Sequence, residues 1–323
     1  FGGGFFHLFA LGDRSRERRR AISEAMGPVW EANHVFLVLL VVVFFSAFPS
    51  AWAAYATALA FPLRLALVAL AIRGVAFVFR AYAGRRLRAV FGVAFGLASV
   101  VAPFVLGSSV GAISSGLVRI HDGHVSVTGT PWLSPIAVAM GVTALAVSVH
   151  LAAVFLAVET TGTLRADFRF RAIVSDIVLG TSALVTLLVA RASAPHLYAS
   201  LARAPAAIPI VVGSASWILC LGALVVGRVG LARVFSVLGV AALLAGWAVA
   251  QHPYLIYPDV TLESAAAPAP MLRFLLYSVP FGVALAGPSM WLAFRVFKSR
   301  HQVIRRELGM HEPSADETRP PSA

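Results

Sequence analysis

Long unbroken apolar runs constrain this chain more than any other feature. Eight segments, at approximately 32–49, 52–78, 89–110, 134–158, 172–190, 207–227, 234–250 and 272–297, are almost free of charge. An α-helix needs about 20 mostly apolar residues to cross the bilayer hydrocarbon. In lipid every backbone N–H and C=O must be paired within the chain, so only helices and closed barrels can span. Runs such as LVLLVVVFF, residues 37–45, do not alternate as barrel strands do, and they predict helices. Composition agrees. The 323 residues are 59% hydrophobic and 12% charged, and mean hydropathy is +0.85. Soluble domains carry about a quarter charged residues.

The expected fold is an all-α, polytopic transmembrane helix bundle over 1–299, followed by a polar cytoplasmic tail over 300–323. The opening FGGGFFHLFA is apolar but too short to span, and it reads as the end of a partial first helix. With it the count is nine spans. The longest connections, around 111–133 and 251–271, carry Gly, Pro, Asp and Ser, which favour turns. The tail past 300 is expected to be a short helix that frays.

The net charge of +12 does not point to nucleic acid, because no nucleic-acid motif accompanies it and the arginines fall in short clusters between apolar runs. Arg14, Arg16, Arg18, Arg19 and Arg20 form one cluster, and Arg80, Arg85, Arg86 and Arg88 a second. Arg165, Arg169 and Arg171 follow, then Arg228 with Arg233, then Lys298, Arg300, Arg305 and Arg306. The alternate loops hold only Arg119, Arg191 and Arg203, with Arg273 at a helix edge. Cytoplasmic loops are enriched in Lys and Arg. The basic loops are therefore expected in the cytoplasm, with the C-terminus there too. The single cysteine, Cys220, excludes an internal disulfide, and on count alone it excludes a cysteine-based metal site within the chain.

Ionisable groups inside spans are functional candidates by default. They are Glu31, Arg64, Arg73, His150, Glu159 and Asp176. In GPVWEANHVF, residues 27–36, Trp30, Glu31, Asn33 and His34 fall within little more than one helical turn. Glu31 and His34 are three apart and share a helix face. One reading is a pair that passes a proton. The other is a carboxylate stabilised near a helix N-terminus, beside an interfacial Trp. His150 reads as a haem ligand or as a satisfied core histidine. Arg73 can pair with Glu31 or snorkel to the membrane surface, as can Arg64. Glu159 and Asp176 read as salt-bridge partners at the loop edge. FGGG is no phosphate loop, since no strand precedes it and no Lys follows in the required spacing.

Several of these segments together resemble one family. GPVWEANHVF with FFSAFP (44–49) resembles the second-helix signature of subunit II of cytochrome bd-type quinol oxidases. RGVAFVFR (73–80) resembles the end of the third helix, ETTGTLRADFRFRA (159–172) the exit of the fifth, and GWAVAQHPYLIYPDVTLESAAAP (246–268) the late outer loop. FGGG resembles the end of the first-helix motif. The resemblance keeps motif order over nearly the whole chain. It implies a subunit of a quinol oxidase that reduces oxygen to water in a bacterial or archaeal cell membrane. Haem b and haem d would lie in the partner, subunit I, and this chain would bind no haem and no metal. It implies support of assembly and a proton path in which Glu31 and His34 are the candidates. Trp30, Asn33 and Arg73 would be motif or structural residues. Further implied partners are the lipid bilayer, a quinone held structurally in some members, and a small accessory subunit. A secondary membrane transporter is the alternative from another class, although Pro62, Pro103 and Pro280 show no matched repeat.

Overall fold

The computed structural model describes residues 1–9, 15–203 and 205–307. The chain is almost wholly helical. In order come α1 (Gly2–Leu8), α2 (Ser15–Ala47), α3 (Pro49–Ala58), α4 (Ala60–Tyr82) and α5 (Arg85–Ser114). A hairpin of β1 (Val118–His121) and β2 (His124–Val127) follows, then a single 3-10 turn, Pro131–Leu133. The chain continues with α6 (Pro135–Glu159), α7 (Gly162–Ser193), α8 (Pro195–Leu201), α9 (Ala207–Val226) and α10 (Val229–Gln251). A second small hairpin, β3 (Tyr254–Ile256) with β4 (Val260–Thr261), leads through α11 (Leu262–Ala265) to α12 (Ala269–Glu307).

Among the described residues seven helices are long and apolar enough to cross a membrane. There are eight if Val35–Ala47 and Pro49–Ala58 form one broken span. The multi-pass bundle expected from the apolar runs is therefore present. Several boundaries differ. The segment expected at 52–78 is two helices, because Leu59 leaves helical geometry and α4 starts afresh at Ala60. Pro49 opens α3, where its missing N–H costs nothing. Pro62 sits in the first turn of α4 and interrupts no helix, whereas Pro103 lies inside α5 and Pro280 inside α12. The basic clusters read as loops are helical: Arg18 to Arg20 continue into α2, and Arg165 to Arg171 belong to α7. Arginine is a good helix former, and nothing in these stretches breaks a helix. Likewise the expected tail begins as a direct extension of α12 to Glu307, and residues 308–323 lie outside the description.

Internal contacts divide the chain into two units. The first comprises Phe1–Ala25 with Phe48–Ala267, and the second comprises Met26–Ala47 with the chain from Pro268 onward. In the second unit, Val43 and Ala47 of α2 and Leu272, Leu275, Leu276 and Val279 of α12 line one apolar groove.

The first unit is packed largely through small residues. Ala51, Ala102, Ala112, Ala137, Ala153, Ala157, Ala172 and Ala232 are fully buried. Lipid tails are as apolar as Leu, so helices in a bilayer gain from close backbone approach rather than from burial of bulk. Glycines mark the tightest contacts. A Cβ on Gly111 of α5 would lie 2.5 Å from the Ala137 Cα, and one on Gly141 of α6 would lie 2.7 Å from the Phe104 carbonyl oxygen. The FGGG stretch acts in the same way. A Cβ on Gly2 would collide with the Ser148 carbonyl of α6, and one on Gly4 with the Ser99 side chain of α5. Thr143 and Thr186 add a hydroxyl hydrogen bond of 2.9 Å between α6 and α7.

Both hairpins lie at the sparsely charged loops, and an ion pair joins them. Arg119 Nε donates to Asp259 Oδ2 at 2.9 Å, Nη2 donates to Oδ1 at 3.3 Å, and the Ile120 N–H donates to Oδ2 at 2.8 Å. Tyr257 N–H donates to the Ile113 carbonyl beside them. Burial pushes the Asp259 carboxyl up. The bonds from Arg119 and the Ile120 amide, with the guanidinium charge, outweigh that and hold it below its ordinary value of 3.8.

Two outcomes follow. Gly111→Ala should cost about 1–3 kcal/mol, because the new methyl meets backbone that cannot rotate away. A fall in the thermal midpoint of the purified protein checks this, with Gly222→Ala, which meets nothing within 4 Å, as the control that holds its midpoint. For Asp259 a lowered native pKa means that its stabilisation is complete above 3.8 and is lost as pH falls through the native value. Amide protection of residues 118–127, corrected for intrinsic exchange, should fall only on that acid side. In Asp259→Asn it should be weakened at neutral pH, and equal protection in the two proteins would refute the tie.

Candidate functional site

Within the first unit α6, α7 and α9 bring three reactive side chains together. His150 lies nine residues before the end of α6, about two and a half turns inside. It is 1% exposed, on a face it shares with Ala146, Ala153 and Ala157, whose small side chains let neighbouring helices approach. Asp176 lies on α7, also 1% exposed. The loop-edge position expected for it is incorrect, because α7 begins ten residues before the apolar run and carries Asp176 well into its interior. Cys220 lies on α9 and is equally buried.

Trp217 sets the approach of α9. Its indole Nε1 donates to the Asp176 carbonyl at 2.9 Å, and its ring occupies the space that a side chain at Gly180 would fill. Gly180 is one turn beyond Asp176, and Trp217 is three residues before Cys220. One docked ring therefore aims Cys220 at the Asp176 side chain.

The resulting distances are short. His150 Nε2 lies 3.3 Å from Asp176 Oδ1 and 3.8 Å from Cys220 Sγ. On its other side His150 Nδ1 lies 3.4 Å from Ser175 Oγ. The Cys220 sulfur also faces the Ala232 carbonyl of α10 at 3.5 Å. Neither Asp176 carboxyl oxygen accepts a hydrogen bond, a costly state for a carboxyl this deeply buried. The nitrogen, sulfur and one carboxyl oxygen all lie within 4.8 Å of one another. The count of one cysteine thus does not exclude a mixed set in which that cysteine is one ligand of several.

A second polar cluster surrounds Arg73, which is 2% exposed and therefore does not snorkel. Its guanidinium lies over the Phe1 ring at 4.7 Å and the Phe95 ring at 5.6 Å. His7 stands edge-on to Phe95, and a Cβ on Gly92 would touch its ring at 3.0 Å. Arg64 is the expected surface-seeking arginine: it is exposed, and its Nε donates to the Ala60 carbonyl. Glu159 ends α6 and is exposed, in keeping with its loop-edge reading. Asp167 was not among the sequence candidates, yet it receives Arg18 Nε at 2.8 Å and Arg171 Nε at 3.3 Å, fastening the start of α2 to α7. Spacing makes the Asp167–Arg171 contact legible, as an i,i+4 pair.

Trp30, Glu31, Asn33 and His34 fall on the continuous helical backbone of α2, in the register expected. Their side chains lie outside the described residues, and the pairing of Glu31 with Arg73 or His34 lies outside them too.

Comparison with known proteins gives the family. The family model of cytochrome bd terminal oxidase subunit II matches residues 1–297. A Bacillus subtilis (strain 168) protein provisionally named cytochrome bd menaquinol oxidase subunit II is 26% identical over 332 aligned positions, covering 95% of this chain and 92% of that protein. The cytochrome bd ubiquinol oxidase subunit 2 of the same organism is 30% identical over 166 positions, covering 51% of this chain and 48% of that protein. The fold matches a chain in the structure of bd oxidase from Geobacillus thermodenitrificans with a TM-score of 0.78 and 24% identity, covering 92% of this chain and 91% of that one. The transporter reading finds no support in any of them. A helix bundle with these motifs in this order, matched along residues 1–297, belongs to the cytochrome bd terminal oxidase subunit II family.

Proposed function

We propose that the chain is the haem-free second subunit of a membrane quinol oxidase. It supports assembly of the haem-bearing subunit I and supplies part of the proton path to the site of oxygen reduction. The observation that carries this reading is the family match over residues 1–297, with the Trp30–Glu31 motif inside it. The similar proteins are named as subunits of menaquinol and ubiquinol oxidases, which supports a quinol as electron donor. A structural quinone and a small accessory subunit belong to the same proposal. So does a bacterial or archaeal cell membrane, with the basic helix ends and the C-terminus in the cytoplasm.

Oxygen reduction to water consumes a proton for each electron delivered. A haem enclosed in a helix bundle needs ionisable groups to bring those protons from the aqueous side. Glu31 and His34 lie three residues apart on helical backbone, C-terminal to the basic stretch of α2, where cytoplasmic protons would enter. The carboxyl would load and release the proton, and His34 would be its next station. Haem in this chain is disfavoured by donor chemistry. His150, the sequence candidate for an axial ligand, has its two ring nitrogens turned to Ser175 and to the Asp176–Cys220 pair.

In Glu31→Gln, which keeps the side chain's shape but cannot titrate, quinol oxidase activity of the assembled complex should fall by about tenfold or more, with haem content kept. Glu31→Asp should be milder. Loss of haem together with activity would make Glu31 structural, and full activity of the Gln protein would remove it from the path. Purified without its partner, this chain should give a flat reduced-minus-oxidised spectrum. A stoichiometric haem b band would overturn the haem-free assignment.

A further inference from the structure

We propose that His150, Asp176 and Cys220 form a binding site for a divalent, borderline-soft metal ion of the zinc type, which clamps α6, α7 and α9 inside the membrane. Geometry carries the proposal. Zinc binds imidazole nitrogen and carboxylate oxygen at about 2.0–2.1 Å and thiolate sulfur at about 2.3 Å, tetrahedrally. Two ligands on such a tetrahedron are then about 3.3 Å apart for nitrogen and oxygen, and about 3.6 Å for nitrogen and sulfur. The observed separations are 3.3 Å between His150 Nε2 and Asp176 Oδ1, and 3.8 Å between His150 Nε2 and Cys220 Sγ. Both separations from His150 are thus close to the edge lengths of a metal-centred tetrahedron, the three ligand atoms lie within 4.8 Å of one another, and they come from three different helices.

An independent observation points the same way. Asp176 is 1% exposed, and neither carboxyl oxygen accepts a hydrogen bond. No arginine or lysine forms an ion pair with it among the described residues. With the His150 imidazole neutral, its 3.3 Å contact with Asp176 supplies no charge, and such a carboxylate lacks the charge partner that burial demands. A divalent cation supplies that partner. With Asp176 ionised and the Cys220 thiol deprotonated, the two negative charges balance the ion and the site is neutral, the arrangement least costly in low dielectric. The thiol proton, directed in the free protein toward the Ala232 carbonyl, leaves to solvent as the sulfur–metal bond forms.

The surroundings also fit. The imidazole must offer Nε2 as a lone pair and keep its proton on Nδ1. Ser175 Oγ, 3.4 Å from Nδ1, is placed to accept that proton's hydrogen bond. Trp217 holds the Asp176 main chain and sets the angle of α9. Three protein ligands fill three positions of the tetrahedron and leave the fourth open to a further ligand.

The test uses the intact oxidase complex, incubated with zinc and desalted. Elemental analysis should find one zinc per copy of this chain. The zinc-edge X-ray absorption spectrum, which haem iron does not disturb, should show one sulfur at about 2.3 Å and lighter atoms at about 2.0–2.1 Å. In Cys220→Ala, a small core change, zinc should fall at least tenfold with haem content kept. Asp176→Asn should lose it as well. A zinc-free wild-type complex overturns the proposal and leaves a buried polar trio without an ion. Zinc without a sulfur neighbour, or zinc kept in full by Cys220→Ala, also overturns it by locating the ion elsewhere. None of these readouts depends on Glu31, so the proton-path reading and the metal site can fail separately.

Discussion

The physical constraint beneath this structure is that lipid gives helices no hydrophobic reason to meet. They must hold one another by contact at short range. The first unit satisfies this with alanine and glycine at many of its buried positions, beside a few fully buried large side chains such as Phe95, Phe168 and Ile136. Gly111 against Ala137 and Gly141 against Phe104 bring α5 and α6 to backbone contact. Gly2 and Gly4 set α1 against the same two helices. The exposed Val, Leu and Phe along α4, α7, α9 and α10 face outward, as a bilayer solvent allows.

Close packing leaves little room for polar groups, and most of those present are satisfied locally. Ser99 bonds the Phe95 carbonyl, Ser109 the Val105 carbonyl and Thr143 the Ala139 carbonyl, each one turn back on its own helix. Such bonds cost no water-filled cavity. Against that background Asp176 stands apart, since nothing on α7 serves its carboxyl. The same tight seams that exclude water place His150 and Cys220 beside it. The short approach of α9 to α7 that stabilises the bundle, through Trp217 over Gly180, also makes the cluster.

The outer connections are held differently. There charge and hydrogen bonds fix the chain, partly exposed at Arg119 and buried at Ser114 and Gln251. Asp259 gathers a guanidinium and a main-chain amide from the neighbouring hairpin, and Gln251 receives Ser114 Oγ at 2.8 Å where α10 meets α5. These polar ties join segments more than a hundred residues apart and give the second hairpin its place beside the first.

The sequence by itself determined the helical membrane architecture, because unbroken apolar runs of this length leave the backbone no other way to pair its polar groups. It also carried the family, through short ordered motifs such as Trp30–Glu31 and FGGG. It could not fix helix ends such as Leu59, where apolar pattern and helical geometry part. Nor could it assemble His150, Asp176 and Cys220. They are 26 and 44 residues apart along the chain, each alone reads as an ordinary buried or edge residue, and no spacing rule links them. Only the tertiary structure joined them. Their juxtaposition is set by how the three helices approach one another, and the approach of α9 to α7 depends on the absence of a side chain at Gly180, which leaves room for the Trp217 ring.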